Sequence, residues 1–403
     1  MLFLGGLFVV GTLIVLADDW PQFLGPARNG VSTEKIASSW EKSEPKQLWK
    51  KKIGAGFAGP VVAGNTLIIF HREGNSEILL ALDAETGKPK WESKSPTAYR
   101  DDFGFDEGPR AVPCIQEGRV YAMGAEGLIR CVDLANGKEI WSVPAKTQFN
   151  APKGYFGMVC SPLVQGDLVI LNIGGADGAG VVALDKNSGK LRWKATGHEA
   201  SYSSPVPMVL DGKTDVVVFT REGVVLLEPQ NGRELGELHW RSRMQASVNA
   251  ATPLVISNRI FLSASYETGA ILLEWANGSL KELWSGDDSL SSHYATPVYR
   301  DKYLYGFHGR QEYGPSLRCV ELATGKVLWD QSGFGAGTVT LVGDQLLILR
   351  ESGELVLASA SPQKYERRGT VQVLGSGTRA VPALAGQRFY GRDKSTLVCL
   401  RLP

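Results

Sequence analysis

The chain has no surplus charge of either sign, few cysteines and histidines and no extended helical periodicity, and each shortage removes a class of function. Forty-three Lys and Arg face 42 Asp and Glu over 403 residues, a formal net charge of +1. A nucleic-acid binder normally carries a domain-wide basic excess, so that class is set aside. The five cysteines, Cys114, Cys131, Cys160, Cys319 and Cys399, include no CxxC and no adjacent pair. Their odd number leaves at least one free thiol in an exported chain. The five histidines show neither H-x-x-x-H nor H-E-x-x-H spacing, so no metal site is expected. No G-x-S-x-G elbow surrounds Ser161, Ser203 or Ser204. The glycine-rich run 174–180 reads as a hairpin turn, because no helix follows to offer its N-terminus to a phosphate. One short helical turn is predicted near residues 33–40.

What the sequence does have is apolar bulk and glycine. Hydrophobic residues make up 43% and charged residues 21%, the composition of a globular protein with a large core. The 47 glycines are about 12% of the chain against a usual ~7%, so many tight turns are expected. Residues 1–17 carry no charged side chain and end in Val15-Leu16-Ala17 before Asp18-Asp19. They read as a secretory signal peptide, either cleaved or kept as an anchor. The expectation is an exported protein, periplasmic or secreted, with no membrane span after signal cleavage. No Cys follows the apolar run to take a lipid.

A repeat organises the remainder. Ala81-Leu-Asp83-Ala-Glu-Thr86-Gly87-Lys-Pro-Lys-Trp91 returns as Cys131 to Trp141, Ala183 to Trp193 and Cys319 to Trp329, with looser copies reaching Trp240 and Trp284. Alternating apolar residues form a strand, the acid accepts N–H bonds in the turn, Gly supplies positive φ, and a second strand ends in Trp. Seven tryptophans, 49, 91, 141, 193, 240, 284 and 329, are assigned to this slot, the eighth being filled near Val373. A second marker opens each unit: Pro60, Pro113, Pro162, Pro205, Pro253, Pro297 and Pro382, with Thr340 standing in for one, at intervals of 42 to 53 residues. Proline is tolerated there as the first residue of a strand.

The two series are out of phase, since Trp49 precedes the first Pro marker and no Trp slot follows the last. The fold predicted is all-β: an eight-bladed β-propeller of four-stranded antiparallel blades over residues 46–403, about 45 residues per blade. The strand around Trp49 completes the blade begun at Pro382, and residues 18–45 form an N-terminal extension. Deleting 46–52 should then cost far more stability than trimming 18–30. Cys131 and Cys319 take the small-residue slot held by Ala81 and Ala183, and Cys399 the corresponding place of the last blade, where a small buried residue leaves room for a neighbouring indole and packing is the expected role.

The A-x-D-x-x-T-G-x-x-x-W hairpin resembles the tryptophan-docking repeat of pyrroloquinoline-quinone (PQQ)-like propellers, a family that includes PQQ-dependent alcohol dehydrogenases and the outer-membrane assembly factor BamB. Asp19-Trp-Pro-Gln-Phe-Leu-Gly-Pro-Ala-Arg-Asn-Gly30, Glu107-Gly-Pro-Arg110, Tyr202-Ser-Ser-Pro205 and Tyr390-Gly-Arg-Asp393 further resemble exported PQQ-like repeat proteins. The resemblance implies that each Trp packs between blades. For the enzymes it implies PQQ with calcium under a vicinal Cys-Cys disulfide, with a catalytic Asp. No adjacent cysteines exist here, so no cofactor is expected except under an alternative reading as a divergent quinoprotein oxidoreductase or small-molecule binder.

The expectation is an exported, non-enzymatic scaffold, with envelope assembly the nearest analogy. Residues three or four before each Pro marker should face the channel mouth, which gives Arg110, Tyr202, Asn249, His293, Tyr294 and Arg379, with Phe57 and Met158 as apolar members. Arginines and aromatics of this kind suit a protein or peptide partner, or a small anionic ligand. The insertion 95–110, with three aromatics, is read either as a partner interface or as packing over the mouth.

Overall fold

The computed structural model describes residues 19–245 and 247–403, so the apolar leader lies outside the described residues. They form eight antiparallel sheets arranged as the predicted propeller. Blades 1 to 7 run in chain order over residues 61–96, 114–144, 163–195, 206–239, 254–286, 298–331 and 337–372. Blade 8 joins residues 383–401 to strand Lys46–Lys52, which pairs with Thr396–Arg401 and sets Trp49 opposite Cys399. The chain's early strand thus closes the ring.

Each hairpin is built as its residues dictate. Asp83 Oδ1 accepts the N–H and hydroxyl of Thr86 at 2.9 and 2.8 Å, and Gly87 turns at φ +67°. The Thr86 hydroxyl holds the Asp83 carboxyl below its usual range. A one-residue bulge then places Trp91 opposite Ala81. The indole reaches across to the next blade, where its Nε1 donates to Leu134 O at 2.9 Å. The same latch recurs from Trp49 to Ala84 O, Trp141 to Lys186 O, Trp193 to Pro229 O, Trp284 to Leu322 O and Trp329 to Ser361 O. At Gly87 and Gly189 an added Cβ would meet the latching ring at 2.8 Å, so the turn glycine also leaves room for the tryptophan. Cys131, Cys319 and Cys399 are fully buried opposite Trp141, Trp329 and Trp49, and all five thiols are free.

Two slots differ from the sequence reading. Leu226 pairs with Gly236 ahead of the bulge, so Gly236 holds the slot of blade 4, and Trp240 lies beyond the strand, stacked on Phe219 at 5.8 Å. The reason is spacing: Trp91 follows its turn glycine by four residues and Trp240 by eight. In blade 7 Gly369, not Val373, stands opposite Leu357. Each glycine admits an indole from elsewhere. Trp275 of blade 5 covers Gly236 and Trp40 of the N-terminal segment covers Gly369, an added Cβ meeting these rings at 2.6 and 2.7 Å. The helical turn predicted at 33–40 does not form, because this stretch runs irregularly to lay Trp40 on blade 7, its N–H donating to Arg368 O.

Residues 20–32 cross the centre of the ring and floor its channel. Trp20 bridges to Val62 in blade 1, Pro21 O accepts the Ile115 N–H of blade 2, and Val31–Ser32 pairs in parallel with Leu341–Val342 of blade 7. Arg28, 1% exposed, donates to Pro162 O at 2.9 Å and Ser161 O at 3.1 Å in blade 3. The Asp19 carboxylate accepts the N–H of Gly64 at 2.8 Å, at the end of the inner strand remote from Phe57. Among the described residues no helix is long and apolar enough to cross a membrane.

Candidate functional site

The marker residues before each inner strand form a belt around the channel. Val112 N donates to Ser161 Oγ, Ser161 N to Ser204 Oγ, Ser204 N to Thr252 Oγ1 and Thr252 N to Thr296 Oγ1, at 2.9 to 3.2 Å. Each hydroxyl caps an amide of the preceding blade that has no ladder partner. Counting back from the turn at Gly343 puts Val339, rather than Thr340, in the proline position, which makes Thr338 the next belt residue. Its hydroxyl is buried without a hydrogen-bond partner.

Above the floor of Phe23 and Leu24 lies a cavity of about 320 Å³ that opens at the mouth. Five of the six residues read from the sequence, Arg110, Tyr202, His293, Tyr294 and Arg379, line it, as does Phe57. Asn249 does not. It is 2% exposed and spends its side chain on Thr220 O at 2.8 Å, while its carbonyl accepts the Tyr202 and Ser203 N–H groups. Met158 is also off the wall, packed against Gly127, and neighbouring Val159 takes its place.

The polar members are held in fixed pairs. Arg110 donates to Phe156 O at 2.6 Å and to the buried Asp101 at 3.0 Å, which pins the 97–110 insertion over the mouth. The Tyr294 hydroxyl donates to Glu351 Oε1 at 2.5 Å, and Arg379 Nε lies 3.0 Å from the same oxygen as an ion pair. Burial and the adjacent Glu351 raise the Tyr294 hydroxyl well above its usual range, and burial pushes Tyr202 up to about 12. His293 lies between Gln311 and the Tyr266 hydroxyl, the latter at 2.9 Å, and burial lowers its pKa. It is therefore neutral near pH 7, leaving the arginines as the wall's cations.

An aromatic cluster crowns the mouth. Phe103 stacks near Phe105, Tyr155 and Phe156 with centroids 5.2 to 6.3 Å apart, and Phe103 and Phe105 remain more than half exposed. The sequence reading found this loop but missed Phe156, Tyr266, Arg310 and Thr338. Tyr266 and Arg310 come from turns between the second and third strands of their blades, which open on the same face as the loops before the proline markers. Alternation of strand direction is the signal that could have found them.

Ser161 and Ser204 act as belt acceptors, and His293 is engaged with Tyr266 and Gln311. The nearest thiols, Cys114 and Cys160, are held up to about 11 by burial. Nor do the residues fit a quinone and calcium site. The cysteines stand singly, and among the described residues no group of three or more His, Cys, Asp or Glu is placed to hold a metal.

The family model described as outer membrane protein assembly factor BamB matches residues 31–102 and 97–331, well over half of the chain. The quinoprotein alcohol dehydrogenase PedH of Pseudomonas putida is 32% identical over 34% of this chain and 24% of its own length. The BamB of Moranella endobia is 24% identical over 61% of this chain and 63% of its own. The chain thus spans less than two thirds of either relative. The crystal structure of BamB from Moraxella catarrhalis, 14% identical, superposes with a TM-score of 0.64 over 89% of this chain and 98% of that one, a likeness of fold. By its repeats, its latches and the reach of the family match, the chain belongs to the outer membrane protein assembly factor BamB family of PQQ-like propellers.

Proposed function

We propose that this protein is an exported, non-enzymatic scaffold of the cell envelope that binds a protein or peptide partner through its channel mouth and works without a cofactor. The observation that carries this reading is the aromatic cluster in which exposed Phe103 and Phe105 rest on half-buried Tyr155 and Phe156, mounted on loops that Arg110 fixes to Asp101 and Phe156 O. Exposed aromatics on a rigid mount are the composition of an interaction anchor. The names of the BamB relatives support an envelope-assembly setting, and the apolar leader supports export. The test is affinity capture from envelope extracts with wild type and a Phe103→Ser/Phe105→Ser double variant. A protein retained by wild type and lost by the variant supports the reading. Equal retention by both, or none by either, overturns it.

A further inference from the structure

The channel has a floor and a single mouth. A blind passage of about 320 Å³ admits a small molecule or the end of a chain, not a segment running through. Three guanidiniums, those of Arg110, Arg310 and Arg379, line it against one carboxylate, Glu312, while Asp101 and Glu351 stand outside the lining. Positive charge thus faces the cavity, with two of the counter-charges behind it.

The arginines are not equivalent. Arg110 is committed to Phe156 O, Asp101 and Asp106 O. Arg379 is ion-paired through Nε with Glu351, which Tyr294 also holds, and its two terminal nitrogens have no hydrogen-bond partner among the described residues. A guanidinium ion-paired at Nε with both outer N–H groups free presents the fork that a carboxylate matches. The second observation is independent. Four belt hydroxyls cap a neighbouring blade, whereas Thr338, 5% exposed and on the cavity wall, has nothing to bond. A buried unpaired hydroxyl is costly and calls for a partner. Phe57, Val339 and Val381 give the same wall an apolar surface.

We infer that the channel receives a carboxylate carried on an apolar body, with Arg379 holding the carboxylate and the Thr338 hydroxyl donating to the same ligand. This deepens the binding reading above and rests on it. The shared chemistry belongs both to a peptide's C-terminus and to a small apolar acid.

Calorimetric titration of the full chain with acetyl-Gly-Ser-Gly-Leu, its C-terminal amide and 4-methylpentanoate tests the inference. The acid peptide is expected to bind at least tenfold more tightly than the amide. Arg379→Gln should erase that ratio, Arg379→Lys should keep part of it, and the isosteric Thr338→Val should weaken the acid severalfold while leaving the amide unchanged. An acid peptide much tighter than 4-methylpentanoate identifies a chain terminus, and equal affinity identifies a small acid; both support the carboxylate. Equal binding of acid and amide overturns the inference and leaves the partner-binding mouth standing. No binding of any probe at millimolar concentration overturns it as well, whatever the capture experiment returns.

Discussion

The ring is held by different means on its two sides. From blade 2 to blade 6 each inner strand is joined to the next by repeat residues, each marker hydroxyl capping the amide of the blade before. From blade 7 through blade 8 to blade 1 these hydroxyls are absent or unpartnered. Gly59 occupies the marker position of blade 1, where a Cβ would strike Val381 O, and the N-terminal segment joins the blades instead. Trp40 docks on blade 7, Lys46–Lys52 completes blade 8, and Trp49 latches blade 1. A polar joint adds to this seam: Arg392 of blade 8, wholly buried, donates to Phe70 O and Gly54 O, and Gly54 N–H donates to His71 Nδ1 at 3.1 Å. A repeat can latch to its neighbours by copying itself, but the place where its ends meet needs residues of its own.

The strongest way to break this contrast is to remove the seam strand. Deleting 46–52 strips blade 8 of its outer strand and takes away a tryptophan latch, at an expected cost of roughly 5 kcal/mol or more. Scanning calorimetry should show a fall in Tm of many degrees. Trimming 20–32 costs less, because no blade loses an outer strand. The loss is still substantial, because Trp20 and Arg28 are buried, and the floor goes with them.

A pH scan sharpens the contrast at the joint. His71 Nδ1 accepts the Gly54 N–H, so the ring is neutral and Glu73, 3.9 Å away, forms no ion pair with it. Burial, aided by Arg392, lowers its pKa to about 4. Between the unfolded value near 6.5 and about 4 the unfolded chain binds the extra proton, so stability is complete above pH 6.5 and declines as the pH falls through this window. The decline expected from this group is about 3 kcal/mol. Denaturant titrations from pH 7 to pH 4 should show it, and His71→Gln should remove that share of the slope. An unchanged slope would remove His71 from the seam's account.

The smallest effect isolates the tryptophan latch on the repeating side. Gly189 and Gly278 both turn at positive φ, +70° and +74°, but an added Cβ meets the Trp141 ring at the first and open space at the second. Gly278→Ala is expected to cost about 1 kcal/mol for the backbone alone, and Gly189→Ala about 3 kcal/mol. Equal costs in urea melts would show that the indole yields freely.

Much of this was legible in the sequence because spacing carries it. Eight units, the phase that closes the ring at Trp49, and the cysteines in the small-residue slot all follow from counting residues between markers. The slots of blades 4 and 7 were misread because counting cannot tell a displaced tryptophan from a glycine that borrows one. Nothing local to Gly236 or Gly369 announces Trp275 or Trp40, since those rings arrive from distant parts of the chain. The mouth was legible at the loops before the proline markers, which gave Arg110 and Arg379. Asn249 obeyed the same rule and still turned inward, because two unpaired amides and the Thr220 carbonyl claimed it. The floor was illegible because residues 20–32 carry no repeat to align.

Asp19 reaches the ring at Gly64, on the side away from the open end. An attachment made at Asp19 itself, to a label or an immobilising surface, therefore meets the ring on the side opposite the route by which a guest enters. Attachment by that end alone would orient every molecule alike, with its opening turned outward.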